Sequence, residues 1–357
     1  MRVLTVVGAR PQFIKEAMVA RKLRKKHNEI LVHTGQHYDY NMSEKFFDEL
    51  NIPKPDYNLG ISGGTHGHMT GRMLMGIEDV MDKENPDLVL VYGDTNSTLA
   101  AALAASKLHI PIAHVESGTR THEKRNPEEI NRICTDHVSN LLFCCTENDY
   151  KELEREGLSD LAIVVGDPMY DAFMEYSTRM KTNKIVLQTI DGAKTDVPDN
   201  YYYMTCHREE NTDDDKLTEI CAAMNELEYK TIYPVHPRNR VRIECIRKKG
   251  KYDNIIFVDP IGYLESCSLV LSARKIVTDS GGIQREAFFA KKQCITVLNH
   301  VTWEATMVGK RNQLARPERK DILDKLSANQ VVDDDYQPFG DGHAAEKICD
   351  IIREKYA

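Results

Sequence analysis

No stretch of this sequence approaches the uninterrupted apolar length of a membrane-spanning helix, and no basic leader precedes the strand that begins within residues 1–8, so neither a membrane nor an export signal is expected. Basic surplus is also missing. Lys and Arg number 47 against 55 Asp and Glu, the formal net charge is −8, and the cations are scattered, which excludes a nucleic acid as partner. The nine cysteines are odd in number and contain no CxxC pair, so a reducing, cytoplasmic setting is expected. The adjacent Cys144 and Cys145, inside an apolar run, read as small buried hydrophobes. Repeats of solenoid length and low-complexity tracts are absent, which leaves a globular chain. His33, His66 and His68 have no acids at metal-ligand spacing, so no metal is assigned, and Met69, Met73 and Met75 read as packing residues.

What is present is a rhythm. At 357 residues the chain is long enough for two cores. The β-branched runs 3–7, 30–34, 88–92, 111–115, 141–144 and 163–165 alternate with amphipathic segments, the pattern of a doubly wound parallel sheet. The stretch Thr182 to Asn200 breaks that rhythm with Gly192, Pro198 and small polar residues. A second series then runs through 201–205, 231–235, 255–258, 275–278 and 294–298. The expected fold is therefore α/β, with two Rossmann-like doubly wound domains facing a central cleft. The first covers 1–181 and the second 182–343, and an amphipathic helix at 344–356 is free to pack back on the first.

The first strand ends in Gly8-Ala9-Arg10-Pro11, with one glycine and then a cation where a dinucleotide-binding turn would carry further glycines; no nicotinamide cofactor, and no cofactor at all, is expected. Pro11 suits a first helical turn, which places Arg10 at a helix N-terminus and Lys15 a turn inside it, both fitted to an anion and less well explained as solvated surface cations. Apolar strands run directly into Asp94 and into Glu116. Asp94 is either a helix cap or a working acid, whereas Glu116, buried after an apolar strand, requires a partner or a role. Glu128 opens a helix four residues before Arg132, so it is either one half of a helical ion pair or a catalytic acid oriented by Arg132. In the second half His207 follows a strand at the opposite edge, as a proton carrier or phosphate ligand. Asp279-Ser280-Gly281-Gly282 forms a small-residue turn whose Ser280, Gly281 and Gly282 amides would cradle a diphosphate at a helix N-terminus, with Glu286 placed to accept from ribose hydroxyls; a tight turn with a capping Ser explains the glycines but not the whole string.

The strings GARPQFIK, TGQHYDYNM, YGDTNSTLA, HVESGTR, NPEEINR, CHREEN, YPVH and TDSGGIQREA, collinear from residue 8 to about 290, together resemble the non-hydrolysing UDP-N-acetylglucosamine 2-epimerases. That resemblance implies the glycosyltransferase-B architecture, a UDP-sugar substrate and a homodimer. It implies Asp94, Glu116, Glu128 and His207 as the acid and base set. Arg10, Lys15, Arg132, His236, Ser280, Gly281, Gly282 and Glu286 would be substrate-binding. Gln36, His37, Arg72, Arg208 and Glu210 match a second, activating nucleotide-sugar site, although Asp39 and Glu209 depart from the family there. A further departure is Thr302-Trp303-Glu304-Ala305-Thr306, where family members often read TERPE; the arginine is missing, Arg316 being a possible substitute, and a different sugar such as a 2,3-diacetamido uronic acid has room there.

The chemistry narrows further. The proton on carbon 2 of such a sugar is not adjacent to a carbonyl, and without a dinucleotide site transient oxidation is not available. Elimination of UDP to a 2-acetamidoglucal, followed by re-addition with protonation from the other face, remains. Which of the four groups is acid and which is base stays open at this stage. A transferase on the same fold and a nucleotide-sugar sensor without turnover are the competing readings.

Overall fold

The computed structural model describes residues 1–36, 47, 49–177, 185–331, 333 and 335–356. His37, Asp39 and the expected 181/182 domain junction lie outside them. The chain divides into two compact units, Met1–Met174 with Gln337–Ala357, and Glu175–Tyr336.

In the first unit the apolar runs become strands covered on both faces, as the near-continuous hydrophobicity of β4 (Leu88–Tyr92, all five residues buried) requires. With β1 (Arg2–Val7), β2 (Asn28–His33), β3 (Tyr57–Asn58), β5 (Ile112–Ser117), β6 (Leu141–Cys144) and β7 (Ala162–Val164) it forms a parallel sheet in the order β3-β2-β1-β4-β5-β6-β7. The helices are α1 (Arg10–Leu23), α2 (His66–Glu84), α3 (Asn96–Lys107), α4 (Pro127–Val138), α5 (Glu147–Arg155) and α6 (Pro168–Ser177), whose last three residues belong to the second unit. On one face, alanines 100, 101, 104 and 105 of α3 let α2 approach with Met73, Ile77, Val80 and Met81. Cys144 and Cys145 are buried, and Met75, expected to pack, is exposed.

The second unit repeats the winding. Strands β10 (Tyr201–Thr205), β11 (Lys230–Pro234), β12 (Ile255–Val258), β13 (Lys275–Thr278), β14 (Gln293–Val297) and β15 (Asn312–Ala315) lie parallel in the order β12-β11-β10-β13-β14-β15. They follow a small antiparallel hairpin, β8 (Val186–Gln188) and β9 (Lys194–Asp196). Helices α7 (Asp214–Asn225), α8 (Arg240–Lys249), α9 (Tyr263–Ser272), α10 (Gly281–Phe289) and α11 (Arg319–Ser327) complete it. Each unit therefore shows the Rossmann strand order, in which the direction of winding reverses beside the first strand.

The last helix, α12 (Ala344–Tyr356), packs on α1, with Lys22 and Glu346 at 3.4 Å. Its first turn is held by Asp171, whose carboxylate accepts from the backbone N–H groups of Ala344 and Ala345 at 3.1 and 2.8 Å. Among the described residues no helix is long and apolar enough to cross a membrane.

Candidate active site

In an open parallel sheet, ligands meet the carboxyl ends of the strands where the winding reverses. In the first unit that point lies between β1 and β4. The chain leaves β1 through Gly8, where a Cβ atom would stand 2.2 Å from Ser97 Oγ and 2.3 Å from Thr34 Oγ1, so only glycine lets the three segments close together. Gln12 then ties the turn. Its Oε1 accepts from the Gly8 and Ala9 amides at 2.8 and 2.9 Å, while its Nε2 donates to the Tyr92 carbonyl at 2.8 Å. Arg10 is consequently the first residue of α1, and it is partly buried.

Lys15, one turn further, is not a surface cation: it is 1% exposed and ion-paired with Glu116. Glu116 itself is buried and sits on a β-bulge where the β5–β6 register shifts, with φ of +71°. Holding a non-glycine residue in that left-handed region costs roughly 1–2 kcal/mol, which the surrounding packing offsets; such strain is typical of residues whose direction matters.

Asp94 follows Gly93, and its carboxylate is ion-paired with Arg132. The capping alternative fails, because Thr95 occupies the N-cap of α3 and accepts from the Thr98 amide. Both readings of Glu128 set Arg132 beside it, and in this they are corrected. Arg132 reaches Asp94 and, at 3.1 Å, Glu129, the residue one turn back that faces inward. Glu128 stands partly buried in the first turn of α4, where Asn126 caps its N–H. Glu129 escaped notice in the sequence. Burial would raise its carboxyl, but bonds from the Thr121 amide and hydroxyl and the His122 amide, together with Arg132, hold it below the usual range. It anchors the loop that follows β5 and takes one end of Arg132.

Of the residues matched to an activating site, Gln36 accepts through Oε1 from the Ser97 hydroxyl at 2.7 Å. Arg72 donates to the Ser62 and Gly63 carbonyls at 3.1 Å each, in a groove of about 580 Å³ also lined by Gly64 and His68.

In the second unit the winding reverses between β10 and β13, and the two strand ends touch. His207 Nδ1 lies 2.9 Å from Asp279 Oδ1, and the Asp279 carboxylate also accepts from the His207 and Arg208 amides at 2.9 Å each. Sequence reasoning did not assign Asp279 a role; its signal was its position directly after an apolar strand, as for Glu116. With Nδ1 engaged, Nε2 is the ring nitrogen His207 offers to a ligand, and the ring is 41% exposed. His236 lies beside it, the ring centroids 5.9 Å apart. Arg208 donates from Nε to the Asp279 carbonyl at 2.9 Å, and Glu210 is partly buried nearby in the chain.

Burial alone would raise the Asp279 carboxyl, but the hydrogen bond and charge of His207 and the two amides bring it down to about 2. A depressed carboxyl stabilises the fold above its unfolded value and loses that contribution as pH falls toward 2, here about 2 kcal/mol. Thermal unfolding from pH 5 downward should therefore show wild type losing stability faster than Asp279→Asn; parallel curves would contradict the assignment.

The turn after Asp279 differs from expectation in one detail. The Ser280 N–H donates to Thr278 Oγ1 at 2.9 Å, because the strand-end threonine already supplies an acceptor, so that amide is committed. Ser280 instead caps α10, its Oγ accepting from the Ile283 N–H at 3.4 Å. Gly281 and Gly282, the first two residues of α10, present amides with no acceptor among the described residues, which is the anion-binding end of a helix. Glu286 is buried a turn further in. Trp303, in the segment that departs from the family pattern, stands 3.4 Å from where a Gly281 Cβ would lie and stacks against the Arg285 guanidinium, 4.0 Å from the ring centroid. Arg316 is exposed and paired with Glu318 at 3.4 Å and Asp321 at 3.8 Å.

Comparison with known proteins matches the chain to a family. The family model described as UDP-N-acetylglucosamine 2-epimerase matches residues 21–353. A UDP-N-acetylglucosamine 2-epimerase homolog of Methanococcus maripaludis is 46% identical, over 99% of both chains. A UDP-2,3-diacetamido-2,3-dideoxy-D-glucuronate 2-epimerase of Pseudomonas aeruginosa is also 46% identical, again over 99% of both. The crystal structure of Methanocaldococcus jannaschii UDP-GlcNAc 2-epimerase in complex with UDP-GlcNAc and UDP superposes with a TM-score of 0.87 at 36% identity, covering 99% of this chain and 100% of that one. This chain belongs to the UDP-N-acetylglucosamine 2-epimerase family.

Proposed function

We propose that the chain interconverts UDP-N-acetylglucosamine and UDP-N-acetylmannosamine by eliminating UDP and adding it back. The observation that carries the reading is the pairing of two kinds of group. In the second unit, the α10 amides and His207 suit a departing diphosphate, and in the first, carboxylates are held at defined angles by buried cations.

The bond from carbon 1 to the β-phosphate oxygen breaks, its electron pair leaving with UDP, while a carboxylate takes the carbon-2 proton and the glucal double bond forms. In the reverse addition UDP returns to carbon 1 and an acid protonates carbon 2 from the other face. The Gly281 and Gly282 amides, the Ser280 hydroxyl and His207 serve the diphosphate, with His236 beside His207, and Glu286 serves the ribose; Arg10 is a further cation for the anionic substrate. Glu116 and Asp94, with Glu128, are the proton carriers; Lys15 orients Glu116 and Arg132 orients Asp94. Gln36, His37, Arg72, Arg208 and Glu210 match the family's activating nucleotide-sugar site, from whose pattern Asp39 and Glu209 depart. The reading includes a cytoplasmic homodimer that supplies precursor for a cell-surface polysaccharide, and nine free cysteines suit a reducing compartment.

A second substrate has support of its own. The Pseudomonas relative acts, by its name, on a diacetamido uronic acid, and the segment Thr302-Trp303-Glu304-Ala305-Thr306 lacks the arginine that the family often carries there. Proton NMR of the purified protein with each UDP-sugar separates the readings. Appearance of the manno isomer from UDP-N-acetylglucosamine is expected; interconversion of the uronate alone would transfer the assignment to it. UDP released only with an acceptor sugar would mean a transferase, and binding without change a sensor.

A further inference from the structure

We propose that His114 and Asp136 are positioning residues for the proton-carrying carboxylates Asp94 and Glu116; the inference rests on the function proposed above. His114 lies in the middle of β5 between Ala113 and Val115 and is fully buried, a place where an aliphatic side chain would satisfy the core without cost. Instead its ring spans two acceptors. Nε2 stands 2.7 Å from the Gly93 carbonyl, and since a carbonyl only accepts, Nε2 donates. Nδ1 stands 2.7 Å from Asp136 Oδ1, across a bond hidden from solvent at both ends.

The two backbone points gripped by this dyad are the turns that carry the chemistry. Gly93 immediately precedes Asp94, and a Cβ built on Gly93 would lie 3.5 Å from both Glu116 Oε1 and Lys15 Nζ, so the carbonyl held by His114 belongs to the turn lying against that ion pair. On the other side, Asp136 Oδ2 accepts from the Gly118 N–H at 3.1 Å, two residues beyond Glu116. Gly118 has φ of +82°, and a Cβ there would meet the Asp149 carbonyl at 2.3 Å, so the turn has one backbone path. Asp136 is braced in turn by Arg120 at 2.7 Å, and Arg120 by a two-point contact with Glu156 at 2.7 Å. Burial would raise the Asp136 carboxyl, but His114 and Arg120 hold it below its usual range, as an acceptor for both. One buried chain of bonds thus fixes the turn before Asp94 and the turn after Glu116 relative to each other.

The test divides the two contacts of His114. Asparagine keeps a short donor toward Asp136 and loses the Gly93 carbonyl; glutamine reaches the Gly93 carbonyl and gives up Asp136. Rates are taken per UDP-binding site, so that unfolded protein does not count. His114→Asn should lower kcat about 100-fold, the scale of a misplacement near 1 Å, with KM and UDP affinity within about threefold of wild type. His114→Gln should recover at least about tenfold of that loss. Wild-type kcat in His114→Asn, or no recovery in His114→Gln, would overturn the proposal, since core filling alone affects melting and not turnover per site. If His114→Asn does not fold, Asp136→Asn reads the same effect through Gly118, and unchanged kcat there overturns it. If wild type interconverts no UDP-sugar, the function proposed above fails, and crystal structures of wild type and His114→Asn then decide this inference. A rotated Gly93–Asp94 peptide with the Asp94–Arg132 pair broken upholds it, and an unchanged turn overturns it.

Discussion

Replacing Glu116 with glutamine should reduce carbon-2 proton exchange by about 10³-fold, in the range by which a positioned acid or base accelerates proton transfer, and leave UDP affinity within about threefold. Glutamine preserves shape and most packing on the bulge, so the left-handed backbone at residue 116 and the fold around it are kept. What it removes is the anion that Lys15 faces and, with it, the carboxylate lone pairs of Glu116 that are basic enough to take a proton. Of the groups proposed to hold UDP, His207, Gly281, Gly282 and Glu286 belong to the other unit, and the substitution alters none of them. Isothermal titration with UDP beside single-turnover exchange measures both quantities, and wild-type exchange in Glu116→Gln would remove Glu116 from the scheme.

Lys15→Met should cost both stability and exchange, and the two losses should separate in a double variant. Glu116, Cys145 and Asp167 place ligand atoms within 4.8 Å of one another and are all buried, so Glu116 has a second carboxylate close by as well as the ammonium of Lys15. Taking the ammonium away leaves the Glu116 carboxylate buried without its Lys15 counter-charge and near a second acid; breaking a buried pair in this way costs about 3–5 kcal/mol. In Lys15→Met/Glu116→Gln the repulsion disappears together with the cation, and the melting temperature should return most of the way to wild type while exchange stays lost. A single variant as stable as wild type would show that Lys15 does not offset the carboxylates, and recovered exchange in the double variant would contradict the role of Glu116. The same reasoning explains why Lys15, expected to face an anionic ligand, acts first on a residue of its own chain.

Much of this site could be read before any coordinates, because an apolar strand that ends in a carboxylate breaks the pattern of its neighbours. Asp94, Glu116 and Asp279 all stand at such ends, and the first two were marked on that ground. Partner choice was less readable. The i, i+4 rule pointed Arg132 to Glu128 because it counts only one helix, whereas Asp94 arrives from β4, far off in sequence, and Glu129 presents the inward face. Ser280 was credited with a free amide because a glycine-rich turn was read without the hydroxyl of Thr278 just before it. Strands β3 and β15 went unseen: the first has two residues, and the second, Asn312–Ala315, is half polar at the sheet edge, so neither carries a periodic apolar signal. Gln12 was assigned no role, and only the close approach allowed by Gly8 shows that it joins β1, β4 and α3.

The elimination scheme meets its most direct test when the protein is incubated with UDP-N-acetylglucosamine in deuterated water and the recovered UDP-sugars are analysed by mass spectrometry and proton NMR. Deuterium should enter at carbon 2 as the manno isomer accumulates. Formation of that isomer with protium retained at carbon 2 would contradict proton removal by the carboxylates of the first unit.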